Sequence, residues 1–538
     1  MLLTVTISIV GFILLARSAL FWLYFIQAKH YRLDRIWMEM KRSPFYKLLF
    51  SGHRIIILVL LLLWILLSIG GAPLYRSRTV WLIFVGLGIL AQLYVLIYML
   101  QTAVLYTKGR LQLPQFTIKS IILALIILIA ESPLAIYATI FLPALLATEL
   151  FQPFIVLGVF ALAYTPNIFL HHYFISRARK KISAHKNLIV IGITGSYGKT
   201  TTKEFLAHIL SKKFKVLKTP AHINVDTGVA RVILRDLKPE HEIFIVEMGA
   251  YKRGEIKKIC DLVRPQYAVL TGLSDQHLAL FGSLKALVEA KFELVEAILG
   301  PSGHIIANAD SEPLVQEFKR RRIMPVWYGI RSHAARFKPA DILYGEKGTA
   351  FTLHGVKFTV PCIGTAALNN LLGAIGAAVE LGLHIKDIAP LIHDLPTVPH
   401  TMEPKQGPHG ALIIDDTYNA NTEGVLAALH DLQYFTRAKK IFVFKEIIEL
   451  GERAQEDHTA IAKAAAHAAD YVMLIPGVHR KLMCDTLAAE GMNASQLLDA
   501  DSLDADSMEK LRAMCDEQTV ILCEGRDAQK ILNQISSP

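Results

Sequence analysis

Two hydrophobic rhythms divide the chain near residue 176. Before it, apolar runs cover roughly 3–27, 55–75, 79–106, 118–140 and 152–175, separated by short polar segments. The first is of bilayer-spanning length and no small-residue cleavage signature follows it, so it reads as an anchor rather than a removed leader. Together the runs predict five transmembrane helices. A kinked or re-entrant segment is the alternative where Glu131, Pro133, Pro143 and Pro153 break the pattern. Past about residue 187, short strand-like runs alternate with amphipathic stretches. NLIVIGITG at 187–195 predicts a buried strand entering a glycine turn, and KTTTKEFLAHILSKKF at 199–214 predicts the helix after it. The expected architecture is an α-helical multi-span membrane region over 1–176, an α/β domain with a parallel sheet over 187–395, and a smaller α/β domain over 396–538.

Composition sharpens this division. Of the 538 residues, 53% are hydrophobic and only 19% charged, with a mean hydropathy of +0.39. The net charge of +11 is uneven: residues 1–186 hold 18 Lys and Arg against 4 Asp and Glu, leaving 39 against 42 for the rest. Cations beside apolar runs mark cytoplasmic loops and anionic headgroup contact, not nucleic-acid binding. Their distribution predicts an integral membrane protein with its N-terminus outside, its catalytic half in the cytoplasm and the lipid bilayer as a partner. Cys260, Cys362, Cys484, Cys515 and Cys523 are scattered without a CxxC pair, so neither a disulfide framework nor a zinc site is indicated.

The turn Gly195-Ser196-Tyr197-Gly198-Lys199-Thr200 has phosphate chemistry written into it. Glycines let backbone N–H groups curl toward phosphate oxygens, Lys199 reaches the terminal phosphates, and Thr200 offers a hydroxyl to magnesium at a helix N-terminus. The spacing departs from GxxxxGK[ST], because Ile193 stands five before Gly198 while glycines occupy 192 and 195. Without the strand before it and the helix after it, the string is only an ordinary tight turn.

The string GITGSYGKTTTKEF also resembles the nucleotide loop of the Mur ligases. Further blocks follow in that family's order: EMGAYKRGEI at 247–256, VRPQYAVLTGLSDQHLALFGSLKALVEAKFEL at 263–294, ANADSEPL at 307–314, IIDDTYNANTEGVLAAL at 413–429 and ELGERAQEDH at 449–458. CEGRDAQKIL at 523–532 is similar to the family's closing strand and turn. The resemblance is greatest to the branch that adds D-alanyl-D-alanine to a muramoyl tripeptide. It implies a P-loop central domain and an ATP- and Mg2+-dependent amide ligase acting through an acyl phosphate. Its substrates would be a muramoyl-peptide or other cell-envelope precursor and an amino acid or dipeptide amine.

Carried over position by position, the resemblance makes Gly195 to Thr201 and Asn370 nucleotide-binding, Asp416 an ATP-contacting carboxylate, and Thr200 and Glu247 magnesium ligands. His277 becomes a metal-site and catalytic histidine, and Lys291 a lysine carried as a carbamate that helps bind a second magnesium. Taken alone, that histidine reads as a packed core residue and that lysine as a solvated helix residue. Tyr418, Asn419 and Asn421, after the strand ALIID, read either as substrate contacts or as turn-formers.

Departures accompany the resemblance. Ala366-Ala367-Leu368-Asn369-Asn370 stands where the family has HNxxN, and Thr401 stands where it has a phosphate-facing arginine. Lys445-Glu446 replaces a glycine-aspartate pair, with Lys445 a candidate to replace the lost charge. No room is left before the loop for the family's uridine-diphosphate domain, for which the membrane half is the expected substitute. A polyglutamate or capsule ligase of the same superfamily, and a non-catalytic nucleotide-binding scaffold, remain as alternatives.

Overall fold

The computed structural model describes residues 173–535 except 222, 274–282, 301–302, 419, 448–449, 451–452 and 499–504. In the earlier part it describes 15–27, 52–69, 113–138, 142–172 and single positions between 36 and 104. The chain forms two compact units, 1–172 and 173–538.

The first unit is helical. Its elements include α1 (Gly52–Ile69), α2 (Ile118–Ala138) and the start of α3 (Leu142–Ser183). Trp22, Leu23, Ile26, Leu123, Ile127 and Val156 pack together in one apolar cluster, and the buried Arg54 guanidinium lies 5.1 Å over the Trp22 ring. The expected five spans and integral membrane location are corrected here, because among the described residues no helix is long and apolar enough to cross a membrane. The charged positions that these helices carry, Arg54 in α1 and Lys119 and Glu131 in α2, are ones a span would have to bury at a cost. Most of the expected runs at 3–27 and 79–106, and most of the loop cations, lie outside the described residues. The orientation and the bilayer partner inferred from them go with this correction.

The second unit is α/β. A fully parallel sheet runs in the order β2 (Val216–Lys218), β3 (Ile243–Glu247), β1 (Ile189–Thr194), β4 (Tyr267–Leu270), β5 (His304–Asn308), β6 (Val326–Tyr328). Its central strands are buried on both faces, which is why IVIGIT and IFIVE read as continuous apolar runs without alternation. The chain moves outward in opposite directions from β1, so the crevice beyond its carboxyl end is a topological switch point, where ligands bind in such sheets. Helix α4 (Lys199–Ser211) leaves that end and packs by Phe205, Leu206 and Ile209 against Leu368, Leu371 and Leu372 of α9 (Thr365–Glu380). Between β3 and β6 lie α6 (Glu255–Val263), α7 (Leu284–Ile298) and α8 (Glu312–Arg321), after α5 (Asp226–Asp236) between β2 and β3. A small antiparallel sheet, β7 (Ala340–Gly345), β8 (Gly348–Leu353) and β9 (Val356–Val360), precedes α9.

A second sheet follows in the order β10 (Glu403–Gln406), β11 (Leu412–Asp416), β15 (Thr519–Glu524), β12 (Lys439–Phe444), β13 (Tyr471–Leu474), β14 (Leu497–Leu498), parallel except for β10. Helix α10 (Thr422–Asp431) follows β11. It joins the two sheets' helices directly: Asp431 accepts the Thr365 backbone N–H at 2.7 Å and its hydroxyl at 3.1 Å, giving α9 the N-terminal cap that Gly364 cannot supply.

Candidate active site

Strand β1 ends at Thr194, and the next four residues turn sharply into α4. Gly198 has φ 74°, and a Cβ there would stand 2.2 Å from Asn370 Oδ1. Both facts demand glycine. Gly198→Ala is therefore expected to cost at least about 1 kcal/mol of stability from the left-handed backbone alone and to weaken nucleotide binding at least tenfold. Thermal unfolding and nucleotide titration check this, and an unaltered affinity would mean that the turn does not seat the phosphates.

At the end of β3, Glu247 is 2% exposed. Its Oε2 accepts from the Thr200 hydroxyl at 3.0 Å and from Lys203 Nζ at 3.1 Å, while Oε1 accepts from Asn224 Nδ2 at 3.3 Å. Burial pushes this carboxyl up, but Lys203 and Lys199 outweigh burial and hold it below the usual range, so it is an anion. Lys199 Nζ donates to the carbonyls of Gly195 at 2.8 Å and Ser196 at 3.1 Å. Burial lowers its pKa, partly offset by Glu247. Lys291 on α7 is 5% exposed, and burial, followed by the Lys199 charge, brings its amine down to about 7.

The second sheet contributes the opposite wall. Asp416 ends β11 and Glu524 ends β15, and the two are register partners on adjacent strands. They share a hydrogen bond, and burial raises both carboxyls above their ordinary range. Tyr418 follows on the loop, its carbonyl accepting from Arg526 Nε at 3.3 Å and its hydroxyl bonded to Thr200. All these groups except Lys203 line one cavity of about 300 Å³ between the ends of the two sheets.

The structure thus gathers Gly195 to Thr201, Glu247, Lys291, Asn370, Asp416, Tyr418 and Asn421 around one space. His277 and Asn419 lie outside the described residues. Asn421 is the N-cap of α10, with Oδ1 accepting from Gly424 N–H at 3.0 Å, and it also lines the cavity. Asn370 backs the loop, with Oδ1 3.4 Å from the Thr202 hydroxyl. Thr401 lines the cavity as well. Lys445 does not restore its missing charge there, because it is 3.0 Å from Asp527 and away from the cavity lining. Sequence reasoning missed Lys203, Asn224, Glu524 and Arg526. Lys203 could have been found, since four residues after Lys199 it shares that helix face. Glu524 carried the same signal as Glu247, a carboxylate closing an apolar strand.

Comparison with known proteins agrees with this geometry. Residues 193–378 match the Mur ligase middle domain and residues 402–526 the Mur ligase glutamate ligase domain. Over 281 residues the chain is 32% identical to the UDP-N-acetylmuramoyl-tripeptide–D-alanyl-D-alanine ligase of Escherichia coli (strain K12), covering 51% of this chain and 62% of that one. For the enzyme of the same name from Bacillus subtilis (strain 168) the figures are 32% over 273 residues, 50% and 58%. The chain thus spans about three fifths of the length of these curated relatives. Among solved structures, MurF ligase from Thermotoga maritima in complex with ADP superposes with a TM-score of 0.59 at 26% identity, covering 68% of this chain and 83% of that one. With two of the family's domains matched in order, and with the nucleotide loop, buried acid and buried lysine disposed around one cavity, the chain belongs to the Mur ligase family.

Proposed function

We propose that this protein is an ATP-dependent amide ligase that joins D-alanyl-D-alanine, or a similar amine, to a muramoyl-peptide precursor through an acyl phosphate. Its domains would divide at 187–395 and 396–538. The observation that carries the reading is the cavity in which the Lys199 loop and Glu247 of one sheet face Asp416 and Tyr418 of the other. In the first step a substrate carboxylate oxygen attacks the terminal phosphorus and the bond to the leaving ADP oxygen breaks. In the second, the neutral amine nitrogen attacks the carbonyl carbon, the carbon–oxygen bond to phosphate breaks, and the nitrogen's proton passes to the departing phosphate or to solvent. Both steps place charge on phosphoryl oxygens, where Lys199 and the N–H groups opening α4 are positioned to receive it.

The residues present suit a hard dication. The Thr200 hydroxyl and the Glu247 carboxylate offer oxygens 3.0 Å apart beside the loop. Magnesium held there would offset phosphate charge. Lys203 fixes the Glu247 carboxylate from behind, and Asn224 fixes its other oxygen. Closure of the two walls would exclude water from the acyl phosphate.

The test is phosphate release with ATP, magnesium, nucleotide-linked muramoyl tripeptide and D-alanyl-D-alanine. Release is expected only when all are present. If glutamate replaces the dipeptide as the required amine, the enzyme is of the polyglutamate type. If ATP binds and no acceptor gives turnover, Ala366, Ala367 and Thr401 become the leading facts and the protein is a scaffold.

A further inference from the structure

The joint between the helices of the two sheets carries a poorly satisfied charge. Tyr344 of β7 stacks on Tyr434 with ring centroids 4.5 Å apart, and Arg437 Nε lies 3.3 Å from Glu346 Oε2, so on that side the joint has matched partners. Asp431 is different. It is 1% exposed, and its Oδ2 takes both bonds from Thr365, at 2.7 and 3.1 Å. Among the described residues its Oδ1 has no hydrogen-bond partner. The residue closes α10, where the helix dipole disfavours an anion, and caps the start of α9, where the dipole favours one. Burial decides between them: it raises the carboxyl to about 6, against the Thr365 bonds that lower it. The other ionisable groups around it are His430 on its own helix, whose charge lowers that value, and Tyr344 of β7, whose phenol is raised by burial and then by the Asp431 charge. At neutral pH an anion therefore sits in the joint with one oxygen unpaired, a costly arrangement.

We propose that Asp431 is a spring loaded against the closed cavity, opposing the hold of the second wall over the nucleotide and relieved when α10 withdraws from α9 and returns the carboxylate to water. This rests on the ligase reading above and adds a device for releasing ADP after turnover. The cavity is built from the ends of both sheets, so its walls must part for products to leave. The stacked rings and the Arg437–Glu346 pair favour closure, and the Asp431 charge offsets them. Because the carboxyl holds its proton more tightly in the joint than in water, acid favours closure. The opposition is full above pH 6 and is lost as the pH falls toward about 4, the ordinary range of an exposed aspartate.

Titration of ADP into the full chain with magnesium reads this equilibrium without requiring ligation. Asp431→Asn keeps an oxygen for Thr365 and removes the charge. It should bind ADP at least tenfold more tightly than the unmodified protein at pH 7.5, and that advantage should shrink several-fold at pH 5. Thr365→Val removes one donor from the same carboxylate and should bind ADP more weakly. Opposite signs distinguish a spring from a structural cap, whose loss would weaken ADP binding in both variants. Weaker or unchanged binding by an Asp431→Asn protein with normal thermal unfolding overturns the spring. If that variant does not fold, unchanged affinity in Thr365→Val overturns it instead. An unmodified protein that binds no ADP would sink the nucleotide reading itself, and the spring with it.

Discussion

Lys199→Ala should lower amine-dependent phosphate release by about a thousandfold, the upper end of what one preorganised electrostatic group contributes to a reaction that develops charge in a water-excluded site. The lysine sits at the first turn of α4, where its ammonium bonds the carbonyls of Gly195 and Ser196 at 2.8 and 3.1 Å. Those bonds hold it over the loop in wait for a phosphate, and they are weak competitors for it, being neutral acceptors. Thr401 makes the dependence larger. Where the resemblance places a second phosphate-facing cation, this cavity has a hydroxyl, so the loss of Lys199 has less charge to fall back on. The measurement is phosphate release by variant and parent at saturating ATP, with thermal unfolding alongside. A variant that folds and retains more than a tenth of the rate would remove this loop from the chemistry.

The parts of the site written in contiguous sequence were legible, and the parts assembled by sheet order were not. A strand, a glycine turn and a lysine opening a helix all lie within 189–200, and local backbone physics fixes them without tertiary information. Asn421 fits both readings open to it, since its side chain caps α10 and the residue also lines the cavity. Glu524 lies 108 positions from Asp416, and only the insertion of β15 between β11 and β12 makes them neighbours. No local pattern announces that crossover. The helical unit failed for another reason. The apolar run read over 118–140 passes across Lys119 and Glu131, whereas a span must carry each charged group at a particular depth.

Lys291 supports the second large prediction. Burial, with the Lys199 charge adding to it, lowers the amine to about 7, so half of it is already neutral at that pH and nearly all above 8.5. Only the neutral amine adds carbon dioxide, and the product is a carboxylate, which would turn a second cation beside Lys199 into an anion able to bind magnesium. The sign follows. Raising the pH through 7 frees the amine and favours the carbamate, and lowering it protonates the amine and drives carbon dioxide off. In air-equilibrated buffer, activity should therefore fall when the pH is taken from 8 to 6, and after degassing bicarbonate should restore it far better at 8 than at 6. Lys291→Ala should lose about a hundredfold or more, and acetate should return part of that loss by placing a carboxylate in the vacated space. Rescue by acetate but not by methylammonium separates the two roles open to this side chain, because a lysine acting as a plain cation would show the reverse.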